Sequence, residues 1–169
     1  MSTTALISVE EYLRRTEKPN CEYEDGVLHP KAAPTTLHAW VQSALILLLS
    51  KQGAHALSEL TLNVTATTYL VPDVAVVREL QFPYPADPAL LCVEILSPED
   101  RVGAMLAKCE KYHAWGVPFC WVIDPEKESA WVYPQGGEPS RMDRSGVLQA
   151  GELTIRMDEL FRGLKPEGA

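Results

Sequence analysis

One stretch restricts the topology of this 169-residue chain more than any other. Leu90 to Leu96 is an apolar run broken only by Glu94. Ser97-Pro98-Glu99-Asp100 then opens a helix that continues through about Trp115, and Phe119 to Ile123 is a second apolar run. Gly116 and Pro118 close the helix, because glycine takes the left-handed cap and proline cannot continue the turn. Two strands joined by such a helix lie parallel and connect by a right-handed crossover. The expected domain is therefore α/β or α+β with a mixed sheet, and it spans residues 1–169 as one unit.

The rest of the chain fills in around that unit. Ser8-Val9-Glu10-Glu11 has the spacing of a capping box, with Tyr12 and Leu13 on the apolar side of a short helix. Glu22 to Leu28 reads as a hairpin turning at Asp25-Gly26. Thr35 or Thr36 caps a longer helix from about Leu37 to Lys51, stopped by Gly53. Ala56 to Val64 alternates loosely, and Tyr69 to Arg78 reads as one further strand. Pro83, Pro85 and Pro88 mark a loop. Ser129 to Tyr133 is another strand, Gly136-Gly137 a turn, and the remainder to Phe161 short strands with a terminal helical turn.

Two acids stand where acids are costly. Asp73 follows Leu70-Val71-Pro72 and precedes Val74 to Val77; Glu94 sits between Val93 and Ile95. Both stretches read as strands covered on two faces, where a carboxylate needs a partner or a cation. Lys108 and Tyr112 are four apart and share one face of the following helix. Two carboxylates with a lysine suit a divalent metal, such as Mg²⁺ or Mn²⁺, and a reacting phosphate. Plainer roles stand beside this one. Asp73 suits a strand start after proline, Lys108 a solvated helix face, Tyr112 a core-edge aromatic and His38 a structural histidine. Glu22 suits either an exposed hairpin position or a water-mediated approach to the metal.

Cysteine and charge narrow the classes. Cys21, Cys92, Cys109 and Cys120 form no C-x-x-C pair, which disfavours a zinc knuckle or a thioredoxin-type centre. Cys92 and Cys120 read as core; Cys109 follows Lys108 and could be a reactive thiol, but no Cys/His nucleophile pattern accompanies it. A net charge of −8 argues against tight metal-free nucleic-acid binding, though Arg101, Lys108 and Lys111 could form a local basic rim. No apolar run is long enough to span a membrane, and Met1 to Ile7 lacks a basic leader segment, so a cytoplasmic location is expected.

Taken in order, these residues resemble a known group. Pro72-Asp73 followed by Glu94-Ile95-Leu96 resembles the PD-(D/E)XK nuclease pattern. The wider set is Glu22…Asp25-Gly26, His38, Val93-Glu94-Ile95-Leu96-Ser97-Pro98, Lys108…Tyr112…Gly116-Val117 and Trp121-Val122-Ile123-Asp124-Pro125. It is similar to the Uma-type restriction-endonuclease family within that superfamily, over roughly Ser8 to Pro125. The resemblance implies a restriction-endonuclease-like core, a mixed sheet flanked by helices, and Mg²⁺-dependent cleavage of phosphodiester bonds in nucleic acid, DNA foremost. It implies Asp73 and Glu94 as metal ligands, with the backbone carbonyl of Ile95 as a third. Leu96 stands where the superfamily carries lysine, and Lys108 takes that place from the helix. Glu22, Tyr112 and His38 would complete the site, His38 through phosphate or metal. A homodimer is expected by analogy with enzymes that cut two strands. A degenerate binding module and a phosphoesterase on a small substrate are the alternatives.

Overall fold

A computed structural model of the protein describes residues 6–17 and 20–164. Most of the segment on which the leader expectation rests, residues 1–5, lies outside them. The elements run α1 (Val9–Leu13), β1 (Cys21–Glu24), β2 (Val27–Pro30), α2 (Thr36–Ser50), β3 (His55–Ser58), β4 (Leu62–Thr65), β5 (Thr68–Leu70) and β6 (Val74–Val77). They continue with β7 (Leu91–Ile95), α3 (Val102–Trp115), β8 (Phe119–Asp124), β9 (Ser129–Pro134), β10 (Ser140–Met142), β11 (Val147–Ala150), β12 (Leu153–Arg156) and α4 (Met157–Leu160).

The central sheet has the order β10-β9-β8-β7-β6-β3. Its one parallel pair is β7 with β8, Glu94 opposite Val122, joined by α3 as the crossover pattern predicts. The other pairs in it are antiparallel, so the sheet is mixed. Alternation sorts β7 between two cores. Leu91, Val93 and Ile95 join Val41, Leu45 and Leu49 of α2, and Leu148, Ile155 and Leu160 from the C-terminal elements. Cys92 and Leu96 face the other way, with Cys109 and Tyr112 of α3 and with Leu62, Val64 and Leu70. Glu94 shares the parity of Cys92 and Leu96 and so belongs to the α3 side. Trp121 is wholly buried in the first core.

A second sheet, β2-β1-β5-β4, is antiparallel throughout. Its hairpin turns at Asp25 and Gly26, both with positive φ (47° and 90°), as expected from the Asp-Gly pair. Tyr12, Tyr23 and Tyr69 pack together and seat α1 on this sheet.

Three expectations are corrected. Tyr69 to Arg78 is two strands, not one. Pro72 has no N–H for a ladder and breaks the run, so β5 pairs with β1 in one sheet and β6 with β7 in the other. Asp73 therefore lies just before β6 rather than inside a strand. Ala56 to Val64 is likewise divided between the sheets, at Glu59, whose φ is 52°. The helix expected from Ser97 begins at Val102. Ser97 to Asp100 is a turn in which the Asp100 carboxylate accepts the Ser97 N–H at 2.7 Å, a local bond that competes with helix.

The end of α3 is a left-handed glycine cap. Gly116 has φ 114°, and its N–H reaches the carbonyls of Tyr112 and His113. A Cβ there would come 3.1 Å from Cγ of Pro88. Gly116→Ala is expected to cost about 2 kcal/mol by urea denaturation, from backbone strain and that contact. A loss below about 0.5 kcal/mol would show that the cap relaxes freely.

Candidate functional site

The central sheet, the hairpin and both long helices meet at the C-terminal end of β7. A cavity of about 470 Å³ opens there. Among the groups lining it are Glu22, Lys31, His38, Glu59, Asp73, Glu94, Ile95, Asp100 and Lys108.

Asp73 is nearly fully buried, and both oxygens are engaged. Oδ2 accepts the Ile95 N–H at 2.7 Å. Oδ1 lies 2.9 Å from Nζ of Lys31 and 3.4 Å from Nε2 of His38. Burial works to raise its pKa, but the His38 hydrogen bond and the Lys31 ammonium outweigh it and hold the carboxyl at about 2. Asp73 is thus a fixed anion. The second His38 nitrogen, Nδ1, is buried without a protein partner.

Glu94 projects toward α3. Its Oε1 accepts the Tyr112 O–H at 2.6 Å and lies 2.8 Å from Nζ of Lys108. Burial is the largest influence on its pKa; with Asp73 and Glu22 adding negative charge, it rises to about 7 despite Lys108 and Lys31. Lys108 is held in turn by Glu22, whose Oε1 is 2.7 Å away. Burial disfavours the Lys108 ammonium, but Glu94 and Glu22 dominate and keep it firmly protonated. The same Glu22 oxygen accepts the Val71 N–H at 2.7 Å, which ties the hairpin to the segment carrying Asp73.

The structure thus brings together Asp73, Glu94, Lys108, Tyr112, Glu22, Ile95 and His38. Lys108 is not on a solvated face, and Tyr112 is completely buried rather than at a core edge. Ile95 reaches the site by its N–H. The proposed rim is not uniformly free: Lys111 is spent on Glu24 at 2.6 Å. Cys109 is wholly buried, which removes it as a reactive thiol. His113 is tied down outside the site, with Nδ1 2.8 Å from the Val117 carbonyl oxygen.

Lys31, Glu59 and Gln42 belong to the site and were not foreseen. Lys31 follows Pro30 at the end of the hairpin, and Glu59 sits in a turn; neither position carries an apolar period that would signal burial. Gln42 donates to the Asp73 backbone carbonyl at 2.7 Å and to Glu59 at 3.3 Å. It stands one residue after Val41 on α2, off the Val41-Leu45-Leu49 stripe that marks the buried face.

Five carboxylates, Glu22, Glu59, Asp73, Glu94 and Asp100, line the cavity with two ammonium groups, Lys31 and Lys108, so acids outnumber cations there. Among the described residues, no three His, Cys, Asp or Glu side chains converge as a ready cage. The arrangement still suits Mg²⁺ or Mn²⁺, which accept one or two carboxylates and retain waters. The donors are hard oxygens, and the excess of acids over cations favours a positive ion.

The family model described as "Uma2: Putative restriction endonuclease" matches residues 9–165. The chain is also similar to a solved structure described as a "putative nuclease belonging to DUF820 from Anabaena variabilis ATCC 29413". That similarity has a TM-score of 0.75 and 24% identity, and covers 92% of this chain and 97% of the other. At this identity it establishes the shared fold. A DrdV-DNA complex aligns over 60% of this chain and 65% of its own, with 20% identity and a TM-score of 0.44, too slight to bear on this protein. No curated protein matches the chain. Among the described residues, no helix is long and apolar enough to cross a membrane.

Proposed function

This chain belongs to the Uma2 family of nuclease-type proteins, and on that footing we propose that it is a metal-dependent endonuclease hydrolysing phosphodiester bonds in DNA. One observation carries the reading. Asp73, Glu94 and Lys108, far apart in sequence, line one cavity in which carboxylates outnumber protein cations.

Asp73 and Glu94 would hold Mg²⁺ or Mn²⁺, with the Ile95 backbone beside them. When bound, the ion supplies positive charge against the phosphate and lowers the pKa of a coordinated water. The chain's own groups do the rest. Tyr112 and Lys108 fix the Glu94 carboxylate from two directions. Lys108 offers a protonated, partly desolvated ammonium to the oxygen on which charge develops, where such a group is worth far more than in water. Glu22 holds Lys108 in reach and, through Val71, steadies the segment bearing Asp73. The Ile95 N–H and His38 orient Asp73.

The test is cleavage of supercoiled plasmid at low salt, since a net charge of −8 makes binding weak and salt-sensitive. Nicking or linearisation is expected with Mg²⁺ or Mn²⁺ and none with EDTA. Single-stranded DNA and RNA belong in the same series. Binding of Mn²⁺ without cleavage of any of these substrates would replace the enzyme with a binding module.

A further inference from the structure

Lys31 is the feature of the site that the proposed function leaves unused. Its Nζ lies 2.7 Å from the Val71 carbonyl oxygen, 2.9 Å from Asp73 Oδ1 and 3.3 Å from the Glu59 carboxylate. An ammonium has three protons, and here each has an acceptor. Asp73 Oδ2 accepts the Ile95 N–H, and Oδ1 meets both Lys31 and, at 3.4 Å, His38 Nε2, so both oxygens are engaged and Lys31 is the ammonium among their partners.

We infer that Lys31 is a built-in cation at Asp73 that a divalent metal must displace, and that Glu59 is the carboxylate that keeps the displaced ammonium. The inference rests on the metal reading above. Glu59 is suited to the second role. It is more exposed than Asp73, lies on a turn held at positive φ, and is anchored by Gln42, which also binds the Asp73 backbone. Lys31 can therefore give up Asp73 while keeping Glu59 and the Val71 carbonyl. Without metal, the arrangement spares Asp73 the cost of a buried unpaired charge. With metal, Lys31 stays at the cavity, held by Glu59 and the Val71 carbonyl. It acts through Asp73 and is a positioning residue.

The experiment is Mn²⁺ calorimetry on the full chain in a double-mutant cycle. Lys31→Met is expected to bind Mn²⁺ at least about tenfold tighter. Glu59→Gln is expected to bind it severalfold more weakly, because Lys31 is left with Asp73 as its only carboxylate. In the Lys31→Met background, Glu59→Gln should change affinity much less. If the two effects simply add, both residues act only as distant charges and the displacement idea fails. Unchanged or weaker binding in Lys31→Met also overturns it. Circular dichroism first establishes that each variant is folded, and Lys31→Arg, which keeps the cation, should stay near wild-type affinity; binding as tight in Lys31→Arg as in Lys31→Met overturns the displacement. If Mn²⁺ binds wild type and is lost in Glu94→Gln while Lys31 has no effect, this inference alone falls; if neither wild type nor Lys31→Met binds Mn²⁺, the metal reading falls with it.

Discussion

Lys108→Met is expected to slow DNA cleavage at least about a hundredfold while Mn²⁺ affinity stays the same or tightens. The two effects separate because the lysine is not a ligand. Its ammonium touches Glu22 at 2.7 Å and Glu94 at 2.8 Å. Removing it takes a positive charge away from a site that attracts cations, so metal binding should not suffer. What is lost is a charge placed in advance near the reacting phosphate, and methionine fills most of the volume without replacing it. Leaving Glu94 buried with less compensation will lower stability, so circular dichroism and calorimetry must first establish folded protein. Single-turnover rates at saturating Mn²⁺ then isolate the chemical step. A rate within about threefold of wild type would take Lys108 out of the mechanism.

Glu94→Gln is expected to abolish measurable cleavage and to weaken Mn²⁺ binding at least tenfold. Oxygen coordination survives in the amide, but the charge that draws the ion does not. The same variant should change how stability depends on pH. Burial first, then Asp73 and Glu22, raises the Glu94 pKa from 4.5 to about 7 in the folded chain. A carboxyl raised on folding contributes stability below its unfolded pKa and loses it as pH rises through the folded value. Metal-free wild type should therefore lose stability between about pH 4.5 and pH 7, by an amount on the order of 3 kcal/mol from this group. Glu94→Gln should flatten that part of the profile. Urea denaturation of both proteins across the range measures the difference. Identical slopes would show that Lys108 and Tyr112 compensate Glu94 fully, and retained Mn²⁺ affinity would remove Glu94 from the metal site.

The sequence by itself determined the parallel unit at the centre. An apolar run, a helix ended by Gly116 and a second apolar run leave one topology, since strand pairing and crossover handedness are general constraints. The acids were legible for a related reason. Glu94 between Val93 and Ile95 announces a buried charge, and a buried charge implies a counterpart. Lys108 and Tyr112 followed from helical spacing. The family resemblance placed Glu22 and His38 beside them, which local patterning alone did not.

Only the tertiary structure decided who the counterparts are. Lys31 and Glu59 lie on a hairpin end and a turn, where no periodicity marks a side chain as buried. They reach Asp73 because Pro72 splits the chain between two sheets, and the second sheet then folds back over the end of β7. The helix start at Val102 was equally out of reach, because the Asp100 carboxylate captures the Ser97 N–H and turns the chain before the helix can form. Local patterns report which groups are costly to bury. Which group meets which depends on contacts between segments tens of residues apart, and those are settled when the sheets pack.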